Sequence, residues 1–156
     1  MPFEKKYYAG GANSMRGWRL RSLGPGSYKD SISLTAYPNN TGDIKLEANT
    51  EYRFNLVWKI EGALFMDAGN VWDTHKDDDR PGANFSFDRF YRELALSGGL
   101  GLRFNFFANL VFRADLGMKL RDPVGAGRWA FTPKHDGKRV NWNDFCLSIG
   151  IGYPFF

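Results

Sequence analysis

The chain ends Phe145-Cys146-Leu147-Ser148-Ile149-Gly150-Ile151-Gly152-Tyr153-Pro154-Phe155-Phe156. In an extended backbone, Phe145, Leu147, Ile149, Ile151, Tyr153 and Phe155 fall on one face. Cys146, Ser148, Gly150, Gly152 and Pro154 fall on the other, and Phe156 ends that face. Alternation with period two is the signature of a strand whose two faces meet different surroundings. The segment therefore predicts a strand over 144–156, running to the last residue.

Four upstream segments alternate in the same way. In 43–56, Ile44, Leu46, Tyr52, Phe54 and Leu56 oppose Lys45, Glu47, Asn49, Glu51, Arg53 and Asn55. In 58–69, Trp58, Ile60, Leu64 and Met66 oppose Lys59, Glu61 and Asp67. Leu94, Leu96, Leu100, Leu102, Phe104 and Phe106 oppose Glu93, Ser97, Gly99, Gly101, Arg103 and Asn105. In 109–120, Leu110, Phe112, Ala114, Leu116, Met118 and Leu120 oppose Asn109, Arg113, Asp115 and Lys119. Five such segments in succession predict an antiparallel meander.

The connections separate a membrane sheet from a soluble one. Those near 55–58 and 105–109 are short, whereas 73–90 and 121–143 are long and polar. All long loops thus fall at one end, as in transmembrane barrels. Strands of about 12 to 15 residues exceed the usual five or six of soluble sheets and suffice for a tilted membrane span. Aromatic residues (Tyr52, Phe54, Trp58, Trp72, Phe104, Phe106, Phe107, Tyr153, Phe155) sit near strand ends, where interfacial girdles lie. The competing soluble reading is an open sheet whose apolar face covers a core.

Composition agrees with the membrane reading. Aromatics reach 17% and glycines number 18, yet mean hydropathy is −0.43. No run of roughly 20 apolar residues offers a transmembrane helix. The net charge of +4 comes from scattered residues, unlike the clustered stripe of a nucleic-acid binder. One cysteine, Cys146, excludes an intramolecular disulfide framework and has no paired base for a nucleophilic role. His75 and His135 lack ligand spacing, and Asp77-Asp78-Asp79 lacks the glycine and glutamate of a calcium loop, so no metal or cofactor is expected. Met1-Pro2-Phe3-Glu4-Lys5-Lys6 has no apolar signal core. An exported protein needs such a signal, so a piece of a longer chain is expected.

Residues 1–42 hold no clean strand beyond 3–9. They contain Gly10-Gly11-Ala12-Asn13-Ser14-Met15-Arg16-Gly17-Trp18, a glycine-rich stretch presenting one arginine. On residue types alone, an ordinary surface loop with a solvated arginine is the favoured reading.

That stretch resembles the "GG…S-V-R-G-[FYW]" motif of the Omp85 superfamily, the BamA and TamA proteins of the bacterial surface antigen (D15) domain. Glu51-Tyr52-Arg53 is similar to the strand that follows the motif loop. Phe65-Met66-Asp67-Ala68-Gly69-Asn70-Val71-Trp72 resembles the family's "F-x-D-x-G-x-x-W", and Arg113-Ala114-Asp115-Leu116-Gly117 its "R-x-D-x-G". The segments stand in family order and span nearly the whole chain; Met15 replaces the usual valine. Arg21-Ser22-Leu23-Gly24-Pro25-Gly26 looks most like TamA-like members called TamL in Bacteroidota.

The resemblance implies an all-β antiparallel transmembrane barrel portion: a lumen-inserting loop over 1–42 and five C-terminal strands over 43–156. It implies that Arg16, followed by Gly17, contacts an acidic residue of the inner wall. By parity that is Asp67, with Glu51 and Asp115 able to join. A wet lumen would leave such a pair about 0–1 kcal/mol, making its role positional. The implied activity is insertion or export of client proteins at the outer membrane of a Gram-negative bacterium, with no enzyme chemistry. The last strand would form one side of an opening seam, with Gly150, Gly152, Pro154 and Phe156 at it. Glycines that only relieve lumen crowding are the plainer account. Implied partners are outer-membrane lipids, client proteins, and the missing strands of a barrel of about sixteen with its periplasmic POTRA repeats. The alternatives are a passive outer-membrane channel, a short chain that closes a barrel only as several copies, and a soluble β binding module.

Overall fold

A computed structural model describes residues 6–28, 40–74, 80–107, 110–124, 128–130 and 144–152. The strands are β1 (Tyr7–Tyr8), β2 (Thr41–Gly42), β3 (Ile44–Val57), β4 (Ile60–Trp72), β5 (Ala95–Phe107), β6 (Leu110–Asp122), β7 (Arg128–Trp129) and β8 (Phe145–Ile151). β3, β4, β5, β6 and β8 form one antiparallel sheet in sequence order, with β7 paired to the long-loop end of β6. These are the five alternating segments, so the fold is the antiparallel barrel portion read from the pattern. β1 and β2 pair separately at the base of the loop between them.

Trp58 and Lys59 alone join β3 to β4. A two-residue hairpin favours left-handed backbone, and Trp58 adopts it at φ 49° while standing 94% exposed. Residues 80–94 carry a short 3-10 helix, Phe90–Arg92, at the opposite end.

The two faces of the sheet decide the solvent question. Tyr52 is 67% exposed, Leu100 59% and Ile149 74%, all on the apolar face. Asp67, Arg103 and Asp115, on the polar face, are 0% exposed. A soluble sheet buries its apolar side; this one covers its polar side and presents the apolar side outward. The cover is the loop of residues 9–28. It brings Ala9, Met15, Trp18 and Leu23 against Val71 and Ala95 as a small apolar core. Trp72, expected among interfacial aromatics, is instead fully buried, its Nε1 donating to Glu93 Oε2 at 2.7 Å.

If the outward face meets lipid, Leu100→Arg should cost about 2–4 kcal/mol near the bilayer midplane. The folded, heat-modifiable band of the full-length protein should fall accordingly, while Leu100→Ile leaves it unchanged. Equal yields from both variants would place this face in water.

Candidate functional site: the loop clamp on the inner wall

The loop reaches the wall through one arginine. Arg16 Nε donates to Asp67 Oδ2 at 3.0 Å and Nη2 to Asp67 Oδ1 at 2.7 Å, a two-pronged fork. The Arg16 backbone N–H donates to the same Oδ2 at 3.0 Å. Nη1 turns to Glu51 Oε2 at 2.5 Å. Below, the guanidinium lies 3.7 Å from the ring centre of Phe65, two positions before Asp67 on the same face. A planar guanidinium satisfies all these directions at once, which an ammonium cannot. Burial disfavours its charge, and the Asp67 and Glu51 carboxylates outweigh that, holding the Arg16 pKa above its ordinary value.

Asp67 has further donors. Asn49 Nδ2 donates to its Oδ1 at 3.1 Å and to the Ser14 carbonyl at 3.0 Å, tying β3 to the loop. Ser97 Oγ approaches Oδ2 at 3.4 Å from β5. The Ser14 hydroxyl donates to Glu47.

From Glu51 the ionic chain continues across the wall. Arg103 Nη2 donates to Glu51 Oε2 at 3.0 Å, and its Nη1 to Asp115 Oδ1 at 2.5 Å. Arg53 Nε donates to Glu51 Oε1 at 2.7 Å. Arg113 stands 4.0 Å from Asp115 Oδ2 and donates to Asn13 of the loop. The charges thus alternate from Glu51 on β3 across to Arg103 on β5 and Asp115 on β6, each beside opposite sign. Unpaired, such buried groups would be prohibitive.

Glycines let the loop backbone settle on this wall. A Cβ on Gly117 would lie 2.5 Å from the Arg16 carbonyl oxygen and 3.0 Å from the Gly17 nitrogen. One on Gly17 would lie 2.5 Å from Ser97 Cβ. Gly10 and Gly11 enter the loop at φ 104° and 100°, where other residues are strained. The loop is then cross-bridged by the Gly11 N–H donating to the Trp18 carbonyl at 2.9 Å. Its far end is held by Asn70 Nδ2, which donates to the Gly26 carbonyl at 2.9 Å, and by the Gly26 N–H to the Val71 carbonyl at 2.7 Å.

Arg16, Gly17, Asp67 and Glu51 therefore meet in one cluster. Asp115 lies on the same wall but pairs with Arg103 instead of Arg16, because Arg103 on β5 stands between them. Of the seam residues, Gly150 faces Arg113: a Cβ there would lie 2.5 Å from Arg113 Nε. This is the crowding-relief role, since the glycine makes room for a guanidinium on the next strand. Gly152 follows β8 at φ 91° with nothing near its missing Cβ. Pro154 and Phe156 lie outside the described residues, as do His75, His135 and Asp77-Asp78-Asp79. Sequence reading put Arg103 and Arg113 on the polar face without giving them roles, and passed over Ser14, Asn13, Phe65 and Gly117 as contacts. Nothing in a period-two pattern shows which strand neighbour a side chain will reach.

A family model described as the Omp85 superfamily domain matches residues 1–152. The chain is similar to the outer membrane protein assembly factor BamA of Neisseria meningitidis serogroup B, 32% identical over 84 residues. That match covers 51% of this chain and 10% of the relative, so the matched part spans about a tenth of that protein's length.

Proposed function

The chain belongs to the Omp85 superfamily, and from that premise we propose that it is the back part of a barrel that inserts or translocates other proteins by opening at its last strand. It resides in the outer membrane of a Gram-negative bacterium, its apolar face in lipid and its loop clamped to the inner wall. Its partners in this reading are client outer-membrane proteins, together with the remaining barrel strands and periplasmic repeats. No bond is made or broken. The work is done by backbone groups at a sheet edge, which pair with an incoming strand.

The observation that carries the reading is the clamp that fixes the loop to the inner wall, with Arg16 forked on Asp67 and bonded to Glu51. Among the described residues β8 pairs with β6, through Phe112↔Ile151 to Met118↔Phe145, and its other edge is where the remaining strands of a closed barrel would join. The described ladder runs on to the Gly152 N–H, which donates to the Val111 carbonyl at 2.8 Å. A passive channel needs no clamp on the wall.

The test is a staple. In the full-length protein with Cys146→Ser, a cysteine at Ile149 is paired with one at the facing position of the barrel's first strand. Client insertion or export should stop on oxidation and return on reduction. Full activity with the bond complete on a non-reducing gel would exclude opening at this seam. Native mass spectrometry in detergent separates one long chain from several short copies.

A further inference from the structure

The β5–β6 ladder carries an inserted residue near its long-loop end. Ser97 pairs with Lys119, but Leu96 pairs with Arg121, skipping Leu120. Beyond such a bulge the alternation of the strand reverses. Lys119 still faces inward, 5.2 Å over the Trp18 ring of the loop. Asp122, inward again, lies 3.6 Å from Lys119 Nζ. Arg121, partnered by outward-facing Leu96 on one side and by Trp129 on the other, faces outward. Among the described strand side chains it is the one charged group on the apolar face.

A second guanidinium, that of Arg92, belongs to the turn whose backbone Arg121 binds. Arg121 Nη1 and Nη2 donate to the carbonyls of Tyr91 at 3.0 Å and Arg92 at 2.8 Å. Arg92 lies 5.5 Å over the Tyr91 ring and donates to its hydroxyl at 3.1 Å. Arg121 lies 5.5 Å over the Trp129 ring. Tyr91 and Trp129 are each 49% exposed. Among the described residues no carboxylate pairs with either arginine: Glu93 is engaged by Trp72 and Asp122 by Lys119 on the opposite face. Arg121 Nε also lacks an acceptor among them.

A cation facing lipid is tolerated near the interface, where headgroups begin, and penalised deeper. These two arginines sit at the rim, above a largely apolar surface, each over a half-exposed amphipathic ring. Such rings favour the boundary between acyl chains and headgroups, and guanidinium forks match phosphate oxygens. We propose that Arg92 and Arg121 form a binding site for the phosphate of an anionic lipid in the leaflet at the long-loop end, flanked by Tyr91 and Trp129. The site rests on the lipid-facing assignment of this surface and is independent of the seam.

The full-length protein in neutral detergent, given equal phosphatidylglycerol and phosphatidylcholine, is read by native mass spectrometry. Preferential retention of phosphatidylglycerol is expected, falling several-fold in Arg92→Gln and close to parity in Arg92→Gln/Arg121→Gln. Arg92→Gln leaves the Arg121 bonds to the loop carbonyls in place, and an unchanged folded band on gels verifies it. Equal retention of both lipids by the unaltered protein, or an undiminished preference in Arg92→Gln, overturns the proposal. Loss of the preference in millimolar inorganic phosphate would mark a free-phosphate site and overturn it too.

Discussion

Replacing Arg16 by alanine in the full-length protein is expected to release the loop from the wall and abolish client insertion or export. The fork, the Glu51 bond and the ring contact all end on this one side chain. Arg16 and Asp67 are both 0% exposed. Removing one partner of a buried pair leaves an uncompensated charge and costs about 3–5 kcal/mol. That exceeds the ~0–1 kcal/mol of a solvated pair, which is what a wet lumen would have left. The difference arises because the loop itself excludes water from the clamp. Limited proteolysis between Gly10 and Gly26 reads the release directly, and a folded barrel band separates it from misfolding. Arg16→Lys should recover only part of the protection, since one ammonium cannot form the fork. Protection and activity equal to the unaltered protein in Arg16→Ala would remove the clamp from the mechanism.

Gly117→Val is expected to match that loss without touching any charged group. Its Cβ would meet the Arg16 carbonyl and the Gly17 nitrogen, both backbone, and neither can swing aside. Overpacking of this kind costs about 1–3 kcal/mol, relieved most readily by lifting the loop and drawing the fork off Asp67. Gly62→Ala is the control: its Cβ would meet the edge of the Phe54 ring, the end of a side chain free to move on the outward face. If both substitutions act by freeing the loop, adding Gly117→Val to Arg16→Ala should increase proteolysis little beyond either alone. Additive effects would mean that Gly117 serves the sheet and not the loop.

The wall's half of the clamp was legible in the sequence, for a simple reason. Strand side chains repeat with period two, so the apolar set Phe145, Leu147, Ile149 and Ile151 marks one face for its own strand. The same count on β3 and β4 puts Glu51 and Asp67 on the other face. Register then carries the assignment from strand to strand, because paired residues share a face. The glycine-rich run around Arg16 pointed to a backbone able to approach closely.

Sequence by itself determined the five strands and which side of each is apolar, and the family resemblance added that Arg16 would find a carboxylate on the polar side. Only the tertiary structure decided the rest. Arg103 intervenes so that Asp115 serves β5 and β6 instead of the loop. Trp72 leaves the expected girdle for a buried bond to Glu93, and Gly150 yields its space to Arg113. The bulge at Leu120 turns Arg121 from the wall to the lipid side. The physical reason is common to all four. Alternation is counted along one chain segment, whereas reach, crowding and an inserted residue are properties of the neighbours that packing brings alongside.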